Sequence, residues 1–223
     1  VRQTTPLLFA AYECLSAADF VRVLKLVSVV SFRYTVVGGL NTNELEPAYH
    51  RAAKALLTRQ ASKPADVFSL LRGIYVDDSA FLRDLERLEI ETSGQRKRLV
   101  KYVLCQLESD ASGVQRDYEA DPASIEHILP ENPLESWSDC FDLERHDRFV
   151  YRLGNLTLLE PSLNRQVGNQ AWSEKALSYA TSSYKMTQAL AAGGYAEWTS
   201  AALDLRQSQM AQRAVHIWRA DYS

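Results

Sequence analysis

Along the first hundred residues, apolar positions recur every three or four residues, and polar capping residues break them into segments. Ser16 stands ahead of Phe20, Val23, Leu24, Val27 and Val30, which share one helical face, and Gly38-Gly39 is the expected stop. Asn41-Thr42-Asn43-Glu44 supplies fresh capping groups, after which Leu45, Tyr49, Ala52, Ala53, Leu56 and Leu57 carry the stripe to about Thr58. Lys63-Pro64 opens a third helix through Val67, Leu70 and Leu71, with proline in the first turn where its missing N–H costs nothing. Asp77-Asp78-Ser79 caps a fourth over Phe81, Leu82, Leu85 and Leu88. A fifth, from about Gln95 to Glu108, buries Leu99, Val100, Val103, Leu104 and Leu107. The pattern predicts a helical bundle or interaction arm over residues 1–120, with a polar linker from Ser109 to Asp121.

Beyond Asp121-Pro122 the texture changes to short β-prone runs between polar turns, the clearest being Ile125–Leu129 and Leu156–Leu159. A helix is expected between them over roughly Asp142–Arg152. Three more follow, at Trp172–Thr181, at Tyr184–Ala192 up to Gly193-Gly194, and at about Ala196–Arg219. The predicted fold is mainly α with a small β-hairpin. An N-terminal helical domain (1–120) precedes a second domain (121–223) that holds the hairpin.

Composition narrows the class. With 46% apolar and 24% charged residues, the chain reads as an ordinary soluble globular protein of one large or two small domains. No run approaches the roughly 18 apolar residues of a membrane span, and no signal peptide is visible. Cys14, Cys105 and Cys140 are odd in number and far apart, which fits a reducing, cytoplasmic setting. No Cys-x-x-Cys pair exists to build a zinc knuckle.

The candidate chemistry sits in Ser124-Ile125-Glu126-His127-Ile128-Leu129-Pro130. Neighbouring strand residues point to opposite faces, so an acid beside a histidine can hold a metal while the imidazole takes a proton from water. A hard cation such as Mg²⁺ prefers oxygen donors, so a carboxylate, an Asn carbonyl and waters suffice. A lone Glu-His pair is usually a surface strand end. It gains meaning from Leu153-Gly154-Asn155-Leu156-Thr157-Leu158-Leu159 and Asn164-Arg165-Gln166-Val167-Gly168-Asn169 behind it.

In that order, and followed by Lys175, these motifs resemble the C-terminal HNH (ββα-metal) nuclease domain of GmrSD-type, SspE-like restriction proteins. Weaker likeness extends upstream through Arg33-Tyr34, Thr42-Asn43-Glu44-Leu45 and Lys101-Tyr102-Val103-Leu104. The resemblance implies a ββα-metal nuclease domain after the helical one. It makes His127 the general base, with Asn155 bracing the loop that orients it. Glu126 and Asn164 become ligands of Mg²⁺ or Mn²⁺, although many HNH proteins carry Asp where this chain has Glu126. Arg165, Asn169 and Lys175 become phosphate or structural contacts. DNA is the implied substrate. The family's N-terminal nucleotide-hydrolysing sensor domain has no counterpart here, and no Gly-x-x-x-x-Gly-Lys loop is present. The chain thus reads as the C-terminal part of a larger anti-phage defence protein.

Charge complicates this picture. Net charge is −3, and residues 121–223 carry 9 basic against 13 acidic side chains. Phosphate contacts need cations. Either a local patch supplies them, or another domain or subunit grips the DNA. Arg96-Lys97-Arg98 with Lys101 is the densest basic cluster, readable as a solvated helix turn or as a phosphate ridge, and Arg33-Tyr34 has the same two readings. His146 is expected to be solvated, and His216 to pack beside Val215 and Trp218. Trp137, Tyr151 and Trp172 are expected in the core. The expected function is a metal-dependent DNA endonuclease or nickase of a restriction system. The alternatives are a degenerate HNH fold acting as a DNA-binding or autoinhibitory module, and a ribonuclease.

Overall fold

The Ser16 hydroxyl accepts the Asp19 backbone N–H at 3.2 Å and starts the first long helix where the capping pattern places it. These coordinates come from a computed structural model that describes residues 2–222. The first helices are α1 (Thr5–Cys14), α2 (Ala17–Ser31), α3 (Leu45–Leu57) and α4 (Pro64–Leu71). Between α2 and Gly38 the helix widens into a π-helical stretch, Phe32–Val37, rather than continuing unchanged. Asn41 accepts the Asn43 N–H at 3.1 Å and so leads the chain into α3. The core of this part is Leu7, Val23, Leu26, Val30, Leu45, Tyr49, Leu56, Val67 and Leu71, all fully buried.

Arg33 does not offer its charge to solvent. It is completely buried, with Nη1 donating to the Val76 carbonyl at 2.8 Å and Nη2 paired with Asp78 at 2.7 Å. Its guanidinium lies over the rings of Tyr75 and Phe81, and Nε donates to the Trp218 carbonyl. Arg33 therefore pins the π-helical stretch after α2 to the returning C-terminal segment. The phosphate-contact reading fails there, because every face of the guanidinium is occupied.

After α5 (Asp78–Leu85) come α6 (Gly94–Ser112), β1 (Ser124–His127), α7 (Asp147–Val150), β2 (Leu156–Leu159), α8 (Pro161–Val167), α9 (Trp172–Tyr179), α10 (Lys185–Ala192) and α11 (Ser200–Ile217). The chain divides into two compact units. One runs through Asp84 and takes back the segment from Trp218; the other spans Leu85–Ile217. The break therefore falls well before the polar stretch near residue 120. The reason is α6, which packs on β2, α10 and α11 and so belongs with the strands. Its buried Glu108 accepts the backbone N–H groups of Lys185 and Met186 at 2.7 and 2.9 Å, capping the free donors at the start of α10.

The fold is mainly helical, with β1 and β2 as a two-stranded antiparallel sheet in the register Ser124↔Leu159 and His127↔Leu156. A long excursion, not a tight turn, joins them. The helix expected over 142–152 shrinks to a 3₁₀ turn and the four residues of α7. Tyr151 and Arg152 leave helical geometry because Ile90 N–H donates to the Tyr151 carbonyl at 2.9 Å and Glu89 bridges Arg152. Gly154 lies under α11. A Cβ there would stand 2.7 Å from the Leu203 carbonyl oxygen, so glycine is needed for close approach and not for a left-handed turn.

Trp137, Trp172 and Trp198 join Ile128, Leu129, Phe141, Leu159, Tyr179 and Leu203 in the second core, and Trp172 stacks on Trp198 at 5.5 Å. Among the described residues, no helix is long and apolar enough to cross a membrane.

Candidate active site

The site is built on the alternation of β1. Glu126 is 4% exposed, and its Oε1 accepts Lys175 Nζ at 2.6 Å and Tyr179 Oη at 2.8 Å, both from α9. Lys175 is itself fully buried and also donates to the His127 carbonyl at 2.8 Å. Burial pushes the Glu126 carboxyl up and the Lys175 ammonium down, while the charge of each opposes the shift in the other. The two charges are mutually satisfied through Oε1, and Glu126 meets the polar cleft beside it only as part of the lining.

His127 opens into a polar cleft of about 280 Å³ whose lining includes Thr92, Lys97, Glu126, Glu131, Asn164 and Asn169. Its Nε2 lies 3.1 Å from Thr92 Oγ1 and 3.8 Å from Glu131 Oε1, and Tyr151 meets the ring edge-on. Burial draws the imidazole down to about 4 against the raising influence of Glu131, so at neutral pH the ring is uncharged and carries a lone pair. The imidazolium formed on taking a proton would have Glu131 as its nearest carboxylate.

The loop after His127 is held from two directions. Asn155, fully buried, accepts the Leu129 N–H at 2.8 Å and Trp198 Nε1–H at 3.2 Å through Oδ1. Its Nδ2 donates to the carbonyls of Leu129 and Val150 at 2.9 and 3.0 Å. Asn155 thus spends all of its side-chain bonds on backbone and core, and it reaches the cleft only by fixing the residues next to His127. His146 donates from Nε2 to the Pro130 carbonyl at 2.7 Å, so it is a half-buried strut and not a solvated helix residue. His216, expected to pack, is exposed instead, because α11 turns that position outward.

Asn164 comes to the cleft from α8. Its Nδ2 donates to the Ile125 carbonyl at 3.2 Å, and no protein donor reaches its Oδ1 among the described residues. Gly168, at φ +43°, reverses the chain after α8 and brings Asn169 to the rim. Arg165 is exposed on α8 and does not line the cleft. Of the basic ridge, only Lys97 lines it. Arg96 pairs with Glu91 at 3.0 Å and Arg98 with Glu119 at 2.9 Å, both exposed. Lys175 is too deeply buried to touch a phosphate on the surface. Sequence reading missed Thr92 and Glu131. Glu131 carries a usable signal, a carboxylate four residues after the histidine and just past Pro130; Thr92, 35 residues upstream, carries none.

No group of three or more His, Cys, Asp or Glu side chains among the described residues could hold a metal by itself. What the cleft offers is a sparse oxygen set: Asn164 Oδ1, the Glu131 carboxylate and Glu126, both of whose side-chain hydrogen bonds fall on Oε1. That set fits a hard divalent cation completed by water, and it does not fit zinc or another soft ion.

A family model described as "GmrSD restriction endonucleases, C-terminal domain" matches residues 75–213, more than half of the chain. No curated protein matches it.

Proposed function

Because the chain belongs to the family of GmrSD restriction endonuclease C-terminal domains, with a restriction endonuclease-type role, we propose that it is an HNH-type, metal-dependent DNA endonuclease or nickase. The observation that carries this reading is the convergence of His127 from β1 and Asn164 from α8 on one polar cleft. His127 takes the proton from the attacking water, and Glu131 stabilises the imidazolium that results. Thr92 Oγ1 holds the ring at Nε2. Asn155 and His146 act as positioning residues that fix the backbone just after His127. Asn164, Glu131 and Glu126 would hold Mg²⁺ or Mn²⁺, which supplies charge relief to the phosphate and to the departing oxygen. Lys97 and Asn169 guide the backbone at the rim. Choice of target and much of the grip on DNA belong to a partner sensor domain of the anti-phage system.

A second reading is favoured by one observation. Lys175 sits 2.6 Å from the carboxylate expected to hold the metal, as in a site that has lost its ion. Here the chain is a degenerate HNH fold that binds DNA without cutting it, or restrains a partner. Incubation with supercoiled plasmid and Mg²⁺ or Mn²⁺, beside an EDTA control, separates the two. Metal-dependent conversion to open circles or linear DNA is expected. Intact plasmid with DNA still bound would replace the nuclease with the binding module, and cleavage of RNA alone would make the site a ribonuclease.

A further inference from the structure

A second cationic group lies in the Leu85–Ile217 unit and has no part in the His127 cleft. Arg206, on α11, is 5% exposed. Its Nη1 donates to the carbonyls of Gly154 and Leu156, and among the described residues no carboxylate touches the guanidinium. Nη2 is buried with no hydrogen-bond partner among the described residues. Burial lowers its pKa to about 10, so the group is still charged at neutral pH. A buried guanidinium with an unused N–H and no counter-ion is unfavourable as it stands, and an anion would satisfy both deficits.

Arg206 lines a cleft of about 680 Å³ together with Lys185, Tyr195, Arg213 and His216. The lining contains one acid, Asp110, and Arg213 already pairs with it. Glu108 lies at the base of α10 nearby, but both of its oxygens are engaged by backbone N–H groups. Lys185 is exposed and Arg206 buried, and among the described residues neither is matched by a side-chain carboxylate. Two unmatched cations, one of them a planar fork, suit a multiply charged tetrahedral oxyanion better than a single carboxylate.

We propose that this cleft binds a phosphate group, with Arg206 and Lys185 as its principal donors. It shares no lining residue with the His127 cleft, so the two sites stand or fall separately. The phosphate could come from a nucleic-acid backbone, which would give this acidic half the local grip that its charge balance lacks, or from a free phosphate compound.

The test uses the whole chain, without metal, and two probes: inorganic pyrophosphate followed by thermal shift, and a short fluorescein-labelled DNA duplex followed by anisotropy. Lys185→Glu is the diagnostic variant, because the side chain is exposed and an acid at a helix start does not harm folding. Saturable binding of at least one probe is expected, weakened about tenfold or more by Lys185→Glu and retained by Lys185→Arg. Duplex binding that pyrophosphate displaces assigns the site to a nucleic-acid backbone. Pyrophosphate binding without the duplex assigns it to a free phosphate compound. If neither probe binds, or if Lys185→Glu binds both as the parent chain does, the proposal is overturned and Arg206 Nη2 is simply hydrated.

Discussion

The two faces of β1 carry adjacent residues into opposite circumstances. Glu126 is almost fully buried and Lys175 and Tyr179 close on its Oε1, so it meets the polar cleft only at its lining, while the His127 ring opens into that cleft. On the proposed reading the same strand thus supplies a largely structural charge and a neutral proton acceptor, one residue apart. A carboxylate beside a histidine is therefore not a catalytic pair by adjacency alone. Its role is settled by what packs against each side, and here α9 has claimed much of the acid.

That contrast can be challenged first through the buried pair, where the largest effect is expected. Glu126→Gln strands the Lys175 ammonium against a neutral amide, and about 3–5 kcal/mol of stability should be lost in denaturant unfolding. Adding Lys175→Met should restore most of it, since an apolar replacement removes the stranded charge. If Glu126→Gln unfolds at the parental midpoint, the pair with Lys175 does not hold this interior together and the structural part of the Glu126 assignment is overturned. Asn155→Ala comes next. It leaves the Leu129 N–H and carbonyl, the Val150 carbonyl and Trp198 Nε1 short of a partner, for a loss of about 3 kcal/mol. A catalytic Asn155 would instead lower activity and spare the unfolding midpoint.

Gly154→Ala forces a methyl group to 2.7 Å from the Leu203 carbonyl oxygen and 2.9 Å from Gln207 Cβ. Thermal unfolding should show a loss of about 1–3 kcal/mol from overpacking between α11 and the start of β2. An unchanged melting temperature would mean that α11 can slide away without cost. The smallest effect belongs to the exposed basic ridge. Arg98→Ala breaks a solvent-screened pair with Glu119 and should move stability by no more than about 0.5 kcal/mol. It should also leave cleavage unaltered, whereas Lys97→Ala, at the cleft, should slow it.

Much of this was legible in the chain, and the limits have a common cause. The capped starts at Ser16, Asn41 and Lys63-Pro64, and the strand Leu156–Leu159, depend on local patterns that a few residues carry by themselves. Arg33, and the phosphate reading of Lys175, misled because charged side chains are usually exposed, and only tertiary packing shows that these two are buried with their partners in place. The helix over 142–152 failed for a related reason, since the bridge to Glu89 outweighed local propensity. Thr92 and the Glu126–Lys175 pair are separations of 35 and 49 residues that no local pattern encodes. Motif order singles out His127 and Asn164 as candidates, but the cleft they share depends on α8 folding back across β1.

The claim that the open face of β1 does the chemistry rests most directly on His127→Ala, assayed for plasmid cleavage and for unfolding on the same preparation. Cleavage should fall by about 10²–10⁴-fold while the unfolding midpoint stays near that of the parent, because His127 borders the cleft and leaves the Glu126–Lys175 pair intact. Cleavage at the parental rate, with the fold preserved, would contradict it.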